Sequence, residues 1–128
     1  MTAPASLIRE YDVSARSTPV FGRVQCSARN HHFIIDGPVQ NGCPGEEITP
    51  PEAFLTSIAA CGVELVHVIA KDEKTPIDDV KVTIHGVVDR GSQKRTDVTT
   101  FSRVELDFTI SGTDGQRAAA LVEAFKRR

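Results

Sequence analysis

Three cysteines are the residues of this chain best suited to covalent chemistry. Cys61 lies in SIAACGVEL, where Ala59, Ala60 and Gly62 leave room for a substrate or a second helix to approach the sulfur. A cysteine becomes a nucleophile when a nearby Arg, Lys or His stabilises its thiolate; otherwise it behaves as a small buried hydrophobe. Both readings are open at Cys61. Glu64, three positions on, shares its helix face and opposes a thiolate unless a cation intervenes. Cys43 sits in an NGCPG loop, is expected to be accessible, and is the candidate for a second thiol. Cys26 alternates with Val24 on a strand and is expected in the core.

The carboxylate nearest to Cys61 on its N-terminal side is Glu52, which follows two prolines. It can serve as a capping side chain or as part of a catalytic site. Nine residues at roughly 1.5 Å each put it ~13 Å along the axis from Cys61 and half a turn round the helix. On a straight helix it cannot touch its own Cys61. A catalytic role then needs a partner chain or an intervening arginine. The histidines offer no metal site: His31 and His32 are adjacent and point to opposite faces of a strand, and His67 and His85 lack ligand spacing. No metal or other cofactor is expected. The basic clusters at 93–95 and 126–128 read as a solvated turn and tail.

The elements that must hold these residues follow from periodicity. Leu7 to Val13 reads as a strand, followed by a turn at ARSTP. Val20 to Ala28 alternates, and HHFII at 31–35 is a third apolar run closed by Asp36-Gly37-Pro38. Residues 39–51 form a loop of the length that often carries function. Thr49, Pro50, Pro51 and Glu52 then open a helix reaching about Lys71. It is apolar nearly all round and is expected to be buried on most sides. Val80 to Asp89 and Val98 to Ser111 are alternating strands, with Phe101 out of register and a bulge expected there. Asp114 caps a last helix ending in a basic turn. The order is βββ–α–ββ–α, an α+β domain. One short chain has little surface with which to cover its apolar helix, so a homodimer sharing the central helices is expected.

Composition narrows the function. The 128 residues, at 13.9 kDa, fit one domain. Fifteen basic and seventeen acidic side chains give a net charge of −2, without the one-sign field of a nucleic-acid or membrane-surface binder. Trp is absent and Tyr occurs once, so rings for stacking bases are scarce. The apolar stretch from Phe54 to Ala70 is interrupted by Thr56, Ser57, Glu64 and His67, so no membrane span is expected. Arg9 and Glu10 fall where a secretory leader needs its apolar region, and a cytoplasmic location is the expectation. Three cysteines without a CxxC pair give neither a disulfide framework nor a zinc ribbon.

The run HHFIIDGP…NG…TPPEAFLTSIAACGVELV resembles the OsmC/Ohr family, the osmotically induced protein C and organic hydroperoxide resistance proteins. The resemblance extends over about residues 20–111. It implies a single OsmC-like domain over 1–128, an intertwined homodimer with a buried central helix, and a thiol-dependent peroxidase without a metal. On it, Cys61 is the peroxidatic thiol and Glu52 the carboxylate of the site. The family's arginine matches Arg16 by position, with Arg23 and Arg29 also open. Two features depart from the family pattern. The Pro-Glu to Cys spacing is one residue shorter, and the given sequence stops at Arg128 before a late Cys-Pro segment and closing strand, so either it is truncated or the family's usual resolving thiol is absent.

Two functions follow as expectations. In the first, Cys61 reduces organic hydroperoxides in oxidative-stress defence, and an external thiol or dithiol restores it. In the second, a non-catalytic dimer holds a hydrophobic small molecule and Cys61 only packs.

Overall fold

A computed structural model describes residues 7–128, and its elements follow the expected βββ–α–ββ–α order. The chain divides into two compact units, residues 1–53 and 54–128.

In the first unit, β1 (Val13–Ser17), β2 (Arg23–Ala28) and β3 (His31–Asp36) form an antiparallel sheet in that order. β1 begins where the sequence reading expected it to end. The turn decides this: Thr18 Oγ1 accepts from Val20 N at 3.2 Å and donates to the Arg23 carbonyl at 3.0 Å. That closed turn pairs Ser17 with Val24 and Ala15 with Cys26, so the register comes from the hairpin rather than the apolar run before it. Cys26 is buried, as expected. A short 3-10 turn, Val39–Asn41, interrupts the following loop.

Helix α1 (Pro50–Asp72) starts in this unit and continues through the second. Its start is a capping box: Glu52 Oε1 accepts from Thr49 N and from Thr49 Oγ1, each at 2.9 Å. The two prolines occupy first-turn positions whose N–H groups have no helical partner.

In the second unit, β4 (Asp79–Val87) and β5 (Arg103–Ser111) pair antiparallel, with Val82 opposite Phe108 and Val80 opposite Ile110. Their apolar faces meet α1 and α2 (Gly115–Phe125) in a core of Val66, Ile69, Ala70, Val80 and Leu121. Gly62 lets the sheet approach: a Cβ there would lie 3.2 Å from the Phe108 ring. Asp114 caps α2, its Oδ1 accepting from Arg117 N at 2.7 Å.

Two further details differ from the sequence reading. Phe101 forms no bulge; it precedes β5 and stacks on Phe54 with ring centroids 5.6 Å apart. The last turn of α2 is not basic, because the helix ends at Phe125 and Lys126, Arg127 and Arg128 follow it. Within a single chain only Gly62, Val66, Ile69 and Ala70 of α1 are buried, as the shortage of covering surface in so short a chain leads one to expect. A two-stranded sheet and one short helix cover a single stripe, and the stripe through Phe54 and Cys61 stays open. α1 is also long and apolar enough to cross a bilayer, despite its interrupting polar residues, a test that core helices of water-soluble proteins pass as well.

Candidate functional site

Cys61 is exposed, which removes the small-buried-hydrophobe reading within this chain. It lies on the uncovered stripe of α1 and lines a cavity of about 510 Å³ with Ser57, Ile58, Leu65, Phe125, Lys126 and Arg128. Ser57, Ile58, Cys61 and Leu65 are one helix face, spaced so that their side chains stack toward the cavity. The C-terminal end of α2 brings Phe125 to the opposite wall, anchored by its tilted ring contact with Phe108 at 5.4 Å.

The electrostatics of this cavity come from side chains. Cys61 stands eleven residues inside α1, beyond reach of the positive helix terminus, whose effect fades within one turn. Lys126 and Arg128 supply two cations, and among the described residues no acidic side chain lines the cavity. Lys126 Nζ is held by Glu123 Oε2 at 2.7 Å, and this pairing holds the Glu123 carboxyl below its ordinary value. Glu64, which the sequence placed against Cys61, is not among the lining residues. The basic tail, read from sequence as solvated, therefore contributes two walls of the thiol's cavity. No sequence signal marks this, because it depends on where α2 packs.

Arg16 projects from β1 into a separate cavity of about 420 Å³ in the first unit, with Ser14, Ala15, Gln25 and Ser27. It forms no ion pair among the described residues. Arg23 is committed elsewhere. Its Nε and Nη2 donate to Asp36 Oδ1 and Oδ2 at 2.8 Å each, and Nη2 also donates to Glu46 Oε1 at 2.7 Å. Asp36, with no exposed surface, further accepts from the backbone N–H groups of Glu46 and Glu47 at 3.0 Å. These bonds hold its carboxyl far below the usual range, the arginine first among them. Arg29 occupies a left-handed turn at φ 55° between β2 and β3.

Glu52 is held by Thr49, whose backbone N–H first and hydroxyl second keep its carboxyl below the ordinary value. It is ionised and positioned as a cap. Cys43 is half-buried rather than freely accessible. A Cβ on Gly22 or on Gly37 would fall 2.4 Å from its sulfur, so two glycines make the space that the thiol fills. Among the described residues no group of three His, Cys, Asp or Glu side chains is placed to hold a metal ion.

Comparison with known proteins agrees with this architecture. The family model for OsmC-like protein matches residues 43–128, and the chain belongs to that family. An OsmC-like protein from Mycoplasma pneumoniae superposes with a TM-score of 0.78 at 16% identity, covering 94% of this chain and 82% of that one. An organic hydroperoxide resistance protein OsmC from Legionella pneumophila gives 0.71 at 20% identity, over 94% and 84% of the two chains. One from Elizabethkingia anophelis, described as an organic hydroperoxide resistance protein with thiocyanate bound, gives 0.75 at 18% identity, over 94% and 83%. These likenesses establish the α+β fold. A search of curated proteins finds no match.

Proposed function

We infer that this protein is a thiol-dependent hydroperoxide reductase acting in oxidative-stress defence, with Cys61 as its nucleophile. One observation carries the reading: in a chain of the OsmC-like family, an exposed cysteine opens onto a cavity with apolar walls and cationic side chains. The names of the Legionella and Elizabethkingia proteins, organic hydroperoxide resistance proteins, are in keeping with it.

The chemistry is a displacement on oxygen. The Cys61 thiolate attacks the outer oxygen of R–O–O–H, the O–O bond breaks, and sulfur is oxidised to Cys–S–OH as RO⁻ leaves and takes up a proton. An external thiol R′SH then displaces water from sulfur and gives a mixed disulfide. A second R′SH releases the Cys61 thiol and R′SSR′. The net reaction converts ROOH and two thiols into ROH, water and one disulfide.

The protein acts as a homodimer in this reading. Val13, Phe21, Phe33 and Phe54 are exposed at 77%, 75%, 47% and 54%, more large apolar surface than a lone soluble chain usually presents. In the dimer the catalytic role of Arg16 is to stabilise the thiolate, with Glu52 orienting the arginine. The reaction takes place in the cytoplasm. Replacement of Cys61 by Ser tests the activity: hydroperoxide consumption with dithiothreitol present is expected to fall to the level of buffer. Consumption equal to wild type overturns the reading, because the activity then does not depend on the Cys61 thiol.

A further inference from the structure

Arg16 and Glu52 are assigned above to one thiolate, so the strand that carries the first and the cap that carries the second must stand in a fixed relation. Both residues belong to the first unit. On β2, Arg23 and Gln25 share one face of the sheet; Arg16 is the cross-strand partner of Gln25, and Asp36 that of Arg23. Arg16 and the fully buried Asp36 carboxylate therefore lie on the same face of one three-stranded sheet.

From Asp36 the connection to Glu52 is continuous. Asp36 Oδ2 accepts from the Glu46 and Glu47 amides at 3.0 Å, and Asp36 N donates to the Ile48 carbonyl at 3.0 Å. Thr49 then donates to Glu52 Oε1 through its N–H and its hydroxyl, each at 2.9 Å. Residues 46 to 49 are thus each bonded to Asp36 or to Glu52. A buried carboxylate stays charged only when it is paired, and the Arg23 fork, at 2.8 Å on both oxygens, is that pair. Arg23 keeps Asp36 an acceptor for the loop, and the loop delivers the cap.

We propose that Asp36, held by Arg23, is a positioning residue for the reaction and sets the Glu52 carboxylate in fixed relation to Arg16. The proposal rests on the hydroperoxide-reductase reading for the roles of Arg16 and Glu52. Asp36 has no exposed surface and acts through Thr49 and Glu52 alone.

The test is the rate at which iodoacetamide alkylates Cys61 at neutral pH, read by peptide mapping on full-length variants that circular dichroism shows to be folded. That rate follows the thiolate fraction, and so the stabilisation that Arg16 and Glu52 provide. A merely structural loss loosens the chain and leaves the rate unchanged or raises it, whereas a positioning loss lowers it. Asp36→Asn leaves one oxygen to meet four donors and is expected to slow alkylation about fivefold, with kcat for tert-butyl hydroperoxide falling in parallel and KM little changed. Arg23→Gln should act similarly. Arg23→Lys, which keeps the charge without the fork, is expected to retain part of the rate, and it carries the test if Asp36→Asn does not fold. Gly112→Ala, strained at φ 92° in the second unit, is the control and should alkylate no more slowly than wild type.

Wild-type or faster alkylation in Asp36→Asn and Arg23→Lys, while Arg16→Gln or Glu52→Gln slows it, overturns the positioning role and leaves the reductase reading standing. If neither Arg16→Gln nor Glu52→Gln slows alkylation, the positioning role falls with the roles of those two residues, and the Cys61→Ser assay alone decides the enzymatic reading.

Discussion

The Arg23 guanidinium grips the buried Asp36 carboxylate through two hydrogen bonds of 2.8 Å, and together they fasten the loop that leads into α1. Asp36 N donates to the Ile48 carbonyl at 3.0 Å, and the Asp36 carboxylate binds the Glu46 and Glu47 amides. One carboxylate thus ties the end of β3 to the residues just before the Thr49–Glu52 cap. Removing the arginine leaves a buried charge with only backbone partners. Arg23→Ala is expected to lower Tm by about 5 °C or more in a thermal melt. An unchanged Tm contradicts the bracing role.

The same pair sets an acid limit. The Asp36 carboxyl titrates below its unfolded value of about 3.9, so its contribution is fully present above that pH. Stability is lost as pH falls through 3.9 toward the folded value. Denaturation midpoints are expected to be insensitive to this pair from pH 7 to about 5 and to decline below about 4. In Asp36→Asn the neutral stability should be lower and the acid decline shallower. An equally steep decline in the variant would remove Asp36 as the cause.

Gly112 follows β5 at φ 92°, where a side chain is strained, and a Cβ there would lie 2.4 Å from Asp78 N. That amide donates to the Ser111 carbonyl at 2.8 Å, so it cannot move without breaking the junction of β4 and β5. Gly112→Ala is expected to cost about 1–3 kcal/mol in urea unfolding. A cost within 0.5 kcal/mol either way, roughly that of an ordinary surface change, contradicts the close approach.

Thiol exposure ranks the cysteines. Cys61 is exposed, Cys43 half-buried between Gly22 and Gly37, and Cys26 buried. Under native conditions iodoacetamide is expected to modify Cys61 first and Cys26 last, read by peptide mapping. Peroxide without reductant should leave sulfenic or sulfinic acid on Cys61. A dominant Cys43–Cys61 disulfide in the same map would show an internal resolving thiol instead.

Much of the fold was legible because periodicity reports burial. The alternation of Val80, Val82 and Ile84 against Lys81, Thr83 and His85 marks the wet and dry faces of β4, and Asp114 and Glu52 both act as the caps their spacing suggests. What was not legible depends on contacts between distant segments. The Arg23–Asp36 pair joins residues thirteen apart across a hairpin, and nothing local distinguishes Arg23 from Arg16 or Arg29. Cys43 sits in a loop whose composition suggests exposure, yet two glycines open a seat for it. The cationic tail enters the Cys61 cavity because Phe125 docks on Phe108, a packing event that sequence spacing does not encode.

The central claim is that Cys61 is the nucleophile, and single-turnover mass spectrometry of the intact protein addresses it most directly. One equivalent of tert-butyl hydroperoxide is added to reduced protein in the presence of dimedone, which traps sulfenic acid as a stable adduct. One adduct per chain on the peptide containing Cys61, and none in Cys61→Ser, is the predicted result. An adduct on Cys43 or Cys26 with Cys61 unmodified, or no adduct with the hydroperoxide unconsumed, contradicts it.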